Sequence, residues 1–266
     1  NIRKGNNYSD GLLLSVQADV SDLKNKTTKN TASSSILQII PFTSTIRWEV
    51  DYIQKKGRLE TIYNSFKYQE YCINDLQKES LFGLSVKASL DKKNGMIPVL
   101  RMSNVINGEL DFSTLKYLPA DCASTEKEPQ KWILRKGDFL ITRTNGSKDL
   151  IGKAAIFNSD ETYTYASYLI RYRFDTTIVL PEYVNILFMT PLVREQIAVM
   201  RRQGGGQYNL NSDEIGAIRL PVPSIPIQKQ IIKKFFDAKD EAQIYYDAAT
   251  KCQIEAAVDF EKEIFS

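Results

Sequence analysis

The sequence predicts an α/β (α+β) protein: a β-rich domain with flanking helices, followed by a long C-terminal helix of the coiled-coil type. Short apolar runs separated by turn residues recur from Leu81 to Ser224, and such runs are typical of strands. From Ile227 to the end, the chain has neither proline nor glycine and repeats apolar residues at heptad spacing, which predicts one long helix. We therefore expect a lead-in segment with a helix at residues 1–80, a folded domain at 81–224 and a helix at 225–266.

Composition indicates a soluble globular protein. The 266 residues are 42% apolar, which is enough for one large or two modest cores. No stretch approaches the roughly 20 apolar residues that span a bilayer, and Asn1–Asp10 lacks the layout of a signal peptide, so we expect a cytoplasmic protein. Because the first residue is Asn and not Met, the N terminus can belong to a longer parent chain, and we assign little structure to residues 1–45.

Histidine is absent from the sequence. This absence excludes Ser-His-Asp and Cys-His triads, HNH-type nucleases and zinc proteases, all of which need an imidazole near neutral pH. Cys72, Cys122 and Cys252 lie far apart without CxxC spacing, which argues against a zinc site and against a disulfide framework. The net charge of +3 permits nucleic-acid binding without requiring it.

The lead-in and the β-rich domain have different apolar patterns. Residues 46–76 place apolar side chains at roughly helical spacing around Gly57, which predicts one broken helix or two short ones. In the region that follows, the predicted strands are Ile97–Met102, Trp132–Leu134, Phe139–Thr144, Ala154–Phe157 and Tyr163–Phe174.

Proline and glycine mark the boundaries in the second half of the domain. Pro181 suits a helix start, and Pro191 divides the run that follows into two helices. After a loop with three consecutive glycines, Asn211 or Ser212 can cap a short helix, and Ala217–Leu220 can form a strand. A stiff, extended connector is then predicted at Pro221, Pro223 and Pro226.

The C-terminal helix carries a seam of apolar residues with an alternating four-three spacing. These residues are Ile231, Phe235, Ala238, Ala242, Tyr245, Ala249, Cys252 and Ala256. The seam has two interpretations: the helix packs on its own domain as an amphipathic helix, or it faces another helix or chain. The small Ala and Cys residues favour close approach of a second helix.

The most informative segment is Arg135–Phe157, with the sequence RKGDFLITRTNGSKDLIGKAAIF. A strand runs into Asn145-Gly146, which is a strong hairpin signal, and a second strand returns. Residue types at the tip bind phosphates, and Arg and Asn also read guanine and adenine edges. A solvated hairpin tip explains the same composition. The candidate DNA-binding residues here are Arg143, Asn145, Ser147, Lys148 and Lys153.

A second candidate is the glycine loop in the segment RRQGGGQYN. Glycine lets the backbone approach a ligand closely, and a guanidinium and an aromatic ring beside it suit contact with a DNA backbone or groove. The alternative is a helix C-cap with an exposed loop. The candidate residues of this segment are Arg201, Arg202, Gln203, Gln207, Tyr208 and Asn209. A third, weaker candidate at a strand end consists of Arg101, Ser103 and Asn104.

Signatures of catalysis and of cofactor binding are missing. The sequence has neither the proline-rich motif of amino-methyl transfer, nor FxGxG for S-adenosylmethionine, nor the acid and lysine motif of magnesium nucleases. A P-loop is excluded because five residues, not four, separate Gly146 from Gly152, and because Ala154 replaces the Ser or Thr that meets magnesium. We therefore expect a non-catalytic chain with no cofactor and no metal.

Five blocks, in this order, resemble the specificity subunits of type I restriction-modification systems and the related recognition domains of fused restriction enzymes. The blocks are IPVLRMSNV, LRKGDFLITRTNGSKDLIGKAAIF, SYLIRYRF, LPEYVNILFMTPLVREQI and GGGQYNLNSDEIGAIRLPVPSIPIQKQIIKKF. The similarity extends from about Leu81 to the C terminus. The resemblance implies that residues 81–224 form a target-recognition domain for one half of a bipartite DNA site, and that residues 225–266 form a spacer helix.

The resemblance also implies partners: double-stranded DNA, an adenine methyltransferase (modification) subunit and, for cleavage, an endonuclease (restriction) subunit. The full family pattern has two recognition blocks and two helices, whereas this sequence has one of each. The chain is then either a half-length subunit that associates with itself through its C-terminal helix, or the recognition part of a larger polypeptide. Two other hypotheses stay open: a hidden methyltransferase or nuclease site, and a scaffold that docks partners without binding DNA.

Overall fold

The computed structural model describes residues 57–265 except 58, 65, 86, 107 and 120–128. Cys122 and the expectations for residues 1–45 therefore lie outside the described residues. The strands are β1 (Glu70–Cys72), β2 (Gln77–Phe82), β3 (Met96–Leu100), β4 (Val105–Ile106), β5 (Glu109–Leu110), β6 (Lys116–Pro119), β7 (Phe139–Thr142), β8 (Thr144–Asn145), β9 (Ala154–Ile156), β10 (Thr164–Tyr165), β11 (Leu169–Phe174), β12 (Arg202–Gly204), β13 (Gln207–Asn209) and β14 (Arg219–Pro221). The α-helices are α1 (Ile73–Leu76), α2 (Pro181–Met189), α3 (Pro191–Met200), α4 (Ser212–Gly216) and α5 (Ile225–Phe265). The mixed α/β fold and the long C-terminal helix that the sequence predicts are confirmed.

A four-stranded antiparallel sheet, in the order β2-β11-β7-β9, lies at the centre of the domain. All four residues of β7 are buried, so both faces of this strand are covered. A strand that is covered on both faces has a continuous apolar sequence instead of an alternating one. This explains why the sequence FLIT, residues 139–142, predicted a strand. We call this sheet the central sheet.

Each face of the central sheet borders its own hydrophobic core. On one face, Phe139 and Ile141 pack with Val184 and Phe188 of α2 and with Ile197 of α3. On the other face, the core contains Leu100, Leu140, Ala155, Phe157, Tyr165 and Leu169. Each buried Leu, Ile or Phe side chain contributes about 1.5–3 kcal/mol to folding, so these two cores hold the sheet in place.

A buried ionic network runs across the central sheet. Arg171 is 0% exposed, pairs with Glu79 and donates from Nη1 to the Lys131 carbonyl at 2.6 Å. Arg173 bonds both carboxylate oxygens of Asp138, at 2.6 and 3.0 Å, and reaches Glu79 at 2.9 Å. The hydrogen bonds that Arg173 donates to the Asp138 carboxylate raise the pKa of Arg173, so this guanidinium stays charged. The network ties β2 and β11 to the turn that precedes β7.

The lead-in differs from its prediction. Residues 57 and 59–63 are helical, but the remaining stretch folds as β1, the single turn α1, and β2. Strand β1 pairs with β14, and β2 alternates half-buried and exposed residues along the edge of the central sheet. Tertiary pairing therefore overrides the helical spacing of this segment. The expected domain boundary at residue 80 falls inside β2.

A smaller correction concerns the strand predicted at Trp132–Leu134. Pro129–Trp132 form a 3₁₀ helix instead. The Trp132 indole donates to the Phe82 carbonyl at 2.9 Å, and the Leu134 backbone N–H donates to the Tyr163 carbonyl at 2.9 Å. The segment is thus fixed by isolated hydrogen bonds rather than by a strand ladder.

The helix boundaries given by proline and asparagine are confirmed. Pro181 and Pro191 stand in the first turns of α2 and α3, where a missing backbone N–H costs nothing. Asn211 caps α4 by accepting from the Glu214 backbone N–H at 2.7 Å, and the Glu214 carboxylate accepts from the Asn211 N–H at 2.9 Å. This reciprocal pair is a capping box.

Helix α5 starts at Ile225, so Pro226 belongs to its first turn and not to an extended connector. Gln228 is 0% exposed and anchors the helix: its Oε1 accepts from the Leu180 N–H at 2.8 Å, and its Nε2 donates to the Ile178 and Pro223 carbonyls at 2.9 and 2.8 Å. From Asp237 onward, all the described side chains are exposed except Thr250. Packing on the chain's own domain therefore accounts only for the first turns of a helix that is about 60 Å long.

Candidate nucleic-acid interface

The two principal candidate segments of the sequence meet in one three-stranded sheet, which we call the ribbon. It has the order β12-β13-β8. Strand β13 pairs with β12 through Gln203↔Tyr208 and with β8 through Tyr208↔Asn145. Residues more than 60 positions apart in the chain are thereby placed side by side on one surface.

A tight turn closes the outer end of the ribbon. Gly205 and Gly206 have φ values of 59° and 76°, and positive φ at both central residues is the requirement of a type I′ hairpin turn. A Cβ atom placed on Gly204, Gly205 or Gly206 would meet nothing within 4 Å, so the turn stands clear of the domain. The glycine loop is therefore the turn of a β-hairpin, and this hairpin begins directly after Arg201, the C-cap of α3.

The Asn145-Gly146 pair does not form the two-residue turn that its sequence suggested. Gly146 is not among the glycines with positive φ, and Asn145 belongs to β8. Strands β7 and β9 do pair as a hairpin, as predicted, but a longer loop joins them. The positive φ in this loop is at Gly152, where a Cβ atom would lie 2.7 Å from Ile197 Cδ1.

Cationic side chains surround the ribbon. The Arg143 guanidinium lies 5.0 Å from the centre of the Phe82 ring, and the Arg201 guanidinium lies 5.5 Å from that of Tyr208. Arg201 also donates to the Lys148 carbonyl at 3.3 Å, which joins the ribbon to the loop after β8. Lys148 is exposed and Lys153 is half-buried. Among the residues that the structure describes, neither lysine pairs with a carboxylate.

Arg202 differs from the other cations because it is already neutralised. Its Nε donates to Glu214 Oε1 at 2.5 Å, and Glu214 is held in the capping box of α4. Close by, Thr144 Oγ1 donates to Asn209 Oδ1 at 2.9 Å. These contacts show that part of the candidate set stabilises the ribbon.

The third candidate, at Arg101, Ser103 and Asn104, lies in the turn between β3 and β4, outside the ribbon. Asn104 is 0% exposed, and its Nδ2 donates to the Asp111 and Thr114 carbonyls at 2.8 and 3.1 Å. Its Oδ1 accepts from the Arg101 N–H at 2.9 Å. The Asn104 amide is thus buried and hydrogen-bonded to the protein's own backbone. This excludes Asn104 from a direct ligand contact in this conformation. Ser103 is exposed.

The described ranges contain neither a candidate metal site nor a candidate membrane-spanning helix. No group of three Cys, Asp or Glu side chains converges there in a way that could hold a metal ion. None of the described helices has the length and apolar character needed to cross a bilayer.

Residues 67–255 match the model of the Type I restriction modification DNA specificity domain, which is well over half of the chain. The chain belongs to this family. The match includes β1 and β2, which lie wholly or mostly within the segment that the sequence analysis assigned to the lead-in.

Curated proteins that are similar to this chain are also specificity subunits of type I restriction enzymes. The chain is 28% identical over 186 residues to the type I restriction enzyme EcoKI specificity subunit of Escherichia coli strain K12, covering 67% of this chain and 38% of the relative. It is 25% identical over 138 residues to the StySPI specificity subunit of Salmonella potsdam, covering 52% of this chain and 28% of that protein. The chain thus spans well under half the length of these relatives.

A solved structure supports the fold. A chain described under "Structural basis underlying complex assembly and conformational transition of the type I R-M system" superposes with a TM-score of 0.52 at 9% identity. The superposition covers 92% of this chain and 53% of that one. At this identity, the likeness concerns the fold alone.

The specificity domain also uses residues that sequence reasoning missed. Arg194 of α3 donates from Nη2 to the Asp149 and Ile151 carbonyls at 3.0 and 2.9 Å and so fixes the loop after β8. Burial, followed by the nearby charge of Arg201, lowers the pKa of Arg194. Phe82, which stacks under Arg143, is 41% exposed. The sequence around Arg194 and Phe82 does not predict these roles, because each residue contacts a segment that is distant in the chain.

Proposed function

We propose that this chain recognises double-stranded DNA sequence-specifically for a type I restriction-modification system, reading one half of a bipartite site. The observation that carries the proposal is the ribbon, which joins two cation-rich segments in one surface beside an exposed turn. A two-stranded β-ribbon, such as the β12-β13 hairpin, fits the major groove of B-DNA, and Arg, Lys, Asn and Gln are the residue types that contact phosphates and base edges there. The ribbon face, and not the turn at Arg101, is the proposed interface.

The cations divide into two proposed roles. Lys148 and Lys153 are flexible point charges that suit phosphates, so they position the domain on DNA. The Arg143 guanidinium is held over the Phe82 ring, which orients its planar donors for a base edge or a phosphate, while Arg201, over the Tyr208 ring, joins the ribbon to the loop at Lys148. Asn145 of β8 supplies an amide at the edge of the same surface.

Binding by the full chain tests this proposal. Anisotropy titrations with a mixed-sequence duplex at two salt concentrations should show binding that weakens as salt rises, because phosphate contacts release counterions. Selection from a random duplex library should then return a defined motif. A chain that binds no duplex at low salt would overturn the proposal and favour a scaffold without DNA contact.

We further propose that the chain is not a catalyst and that methyl transfer and cleavage belong to partner subunits, an adenine methyltransferase and an endonuclease. The missing cofactor motifs and the absence of histidine support this assignment. The pure chain, supplied with S-adenosylmethionine and magnesium, should leave the selected duplex unmethylated and uncut. Methyl transfer by the isolated chain would instead reveal a hidden active site.

Helix α5 is the proposed assembly element. Its protruding part exposes large apolar side chains, including Tyr245 at 67%, Phe260 at 64% and Phe265 at 84%. Apolar surface on this scale marks an interaction site, and the occupant is a modification subunit or a second copy of this chain.

Two kinds of variant test this role of α5. Deleting Asp237–Ser266 should abolish association while leaving the domain folded. Ala249→Lys, in the apolar seam, should weaken association, whereas Gln243→Lys should not, because Gln243 lies about 100° around the helix from the seam residue Ala242 and a lysine there faces Asp247. Association that survives the deletion, measured by sedimentation, would show that the helix is not the assembly element.

A further inference from the structure

Strand register divides the ribbon into two faces. Directly opposed residues of neighbouring strands project to the same face. The pairs Gln203↔Tyr208 and Tyr208↔Asn145 therefore place Gln203, Tyr208 and Asn145 in one row across the three strands. We call this the amide row, because an amide stands on each side of the tyrosine ring. The opposite face carries Arg202, Gly204, Gln207, Asn209 and Thr144.

The opposite face is largely occupied by internal contacts. Thr144 is 5% exposed and donates to Asn209, while Arg202 is paired with Glu214. Gln207 is the exposed amide on that face, at the position opposite Gly204. Hydrogen-bonding groups already satisfied within the protein contribute little to base discrimination.

The amide row keeps its hydrogen-bonding capacity. Asn145 Oδ1 accepts one hydrogen bond, from the Ser147 N–H at 3.0 Å, which orients the amide and leaves the second lone pair of Oδ1 and the Nδ2 donors. Gln203 is exposed, and no described residue bonds its amide. The Tyr208 ring between them is stacked with Arg201, so the row has a rigid centre.

We propose that Asn145 and Gln203 each read an A·T base pair in the major groove, an inference that rests on the DNA-binding function proposed above. Asn and Gln are the side chains that bond adenine bidentately, accepting from N6 and donating to N7. The three glycines at the tip carry no side chain that would hold the ribbon away from the bases. Gln207 is the same residue type on the same hairpin, but it faces away from the row and takes no part in reading.

Motif selection by four proteins, each with the whole 266-residue sequence, tests the inference: wild type, Asn145→Asp, Gln203→Ala and the matched control Gln207→Ala. Asn145→Asp keeps the acceptor for the Ser147 N–H but removes the Nδ2 donor, so the loop keeps its fold. The wild-type motif should contain A·T pairs. Asn145→Asp and Gln203→Ala should each lose preference at a different A·T position, while Gln207→Ala should return the wild-type motif.

A chemical substitution in the DNA provides a second measurement. Placing 7-deazaadenine, which lacks the N7 acceptor, at the position read by Asn145 should weaken wild-type binding by about 5- to 150-fold. The same substitution should leave binding by Asn145→Asp nearly unchanged, because the contact is already lost.

The outcomes separate this inference from the proposed function. A wild-type motif that both row variants retain in full would overturn the inference while the DNA-binding function stands. Loss of specificity in Gln207→Ala but not in Gln203→Ala would show that the opposite face reads DNA. A wild-type chain that binds duplex but selects no motif would refute base reading altogether, and one that binds no duplex would refute the proposed function itself.

Discussion

Two arginines of the central sheet and two that border the ribbon have different surroundings. In the central sheet, Arg171 and Arg173 are enclosed by Glu79 and Asp138, and Arg171 is fully buried. Beside the ribbon, Arg143 and Arg201 lie over the rings of Phe82 and Tyr208, whereas Arg202 within the ribbon is paired with Glu214.

The surroundings of each guanidinium determine what it does. A guanidinium between carboxylates donates its hydrogen bonds within the protein and so holds neighbouring strands together. A guanidinium over an aromatic ring is oriented by the ring face and keeps donors for an anion or a base edge. Arg143, which pairs with no carboxylate among the described residues, is therefore an arginine that we propose for recognition, whereas Arg171 and Arg173 hold strands together.

Arg173→Ala should produce the largest effect on stability. Asp138 is 1% exposed, and removal of its partner leaves a buried, unpaired carboxylate. We expect the free energy of unfolding in denaturant titrations to fall by about 3–5 kcal/mol. Lys136→Ala, which removes an exposed ion pair with Asp160, serves as the control and should cost no more than about 1 kcal/mol. Equal losses in the two variants would contradict a structural role for the network.

Arg143→Ala should change DNA affinity more than it changes the free energy of unfolding. Its guanidinium contacts a ring and not a carboxylate, so we expect the free energy of unfolding to change by about 1 kcal/mol or less. If Arg143 makes a base contact, binding to the selected duplex should weaken by about 1–3 kcal/mol. Anisotropy titrations on selected and scrambled duplexes measure this difference. A variant that loses stability and keeps its affinity would place Arg143 with the structural arginines.

Lys148→Ala and Lys153→Ala should have smaller effects that do not depend on sequence. Each removes one phosphate contact, so the slope of log affinity against log salt should fall by about one on every duplex. Titrations at four salt concentrations determine that slope. An unchanged slope in both variants would exclude these lysines from the DNA backbone.

The smallest expected effect concerns acid stability at the end of the central sheet. Hydrogen bonds from Thr177, followed by Lys78, lower the pKa of Asp175 to about 2. A carboxyl with a lowered pKa adds stability above its unfolded pKa of about 3.9, and this contribution disappears as pH falls towards 2. Asp175→Asn should therefore flatten the fall in melting temperature between about pH 4 and 2. An identical profile in the variant would show that Asp175 is not coupled to folding.

Local signals in the sequence predicted the parts of the fold that depend on neighbours in the chain. Pro181, Pro191 and Asn211 marked helix starts because their preferences act within one turn. The buried run at Phe139–Thr142 was recognisable because both of its faces are covered.

Pairing between distant segments was not predictable from such signals. The strand character of Glu70–Cys72 depends on β14, about 150 positions away, and overrides a helical pattern. The sequence identified both segments of the ribbon, but not that Tyr208 pairs with Asn145. Without that register, Gln203 and Gln207 are equivalent candidates.

Photo-crosslinking to the selected duplex tests the central claim most directly. Duplexes with 5-iodouracil at single positions of the motif are irradiated with the full chain, and crosslinked peptides are identified by mass spectrometry. The ribbon interface predicts crosslinks within residues 143–153 and 201–209, with Tyr208 as a reactive ring. Crosslinks confined to other surfaces, such as residues 129–136 or the helix at 237–265, would contradict recognition by the ribbon.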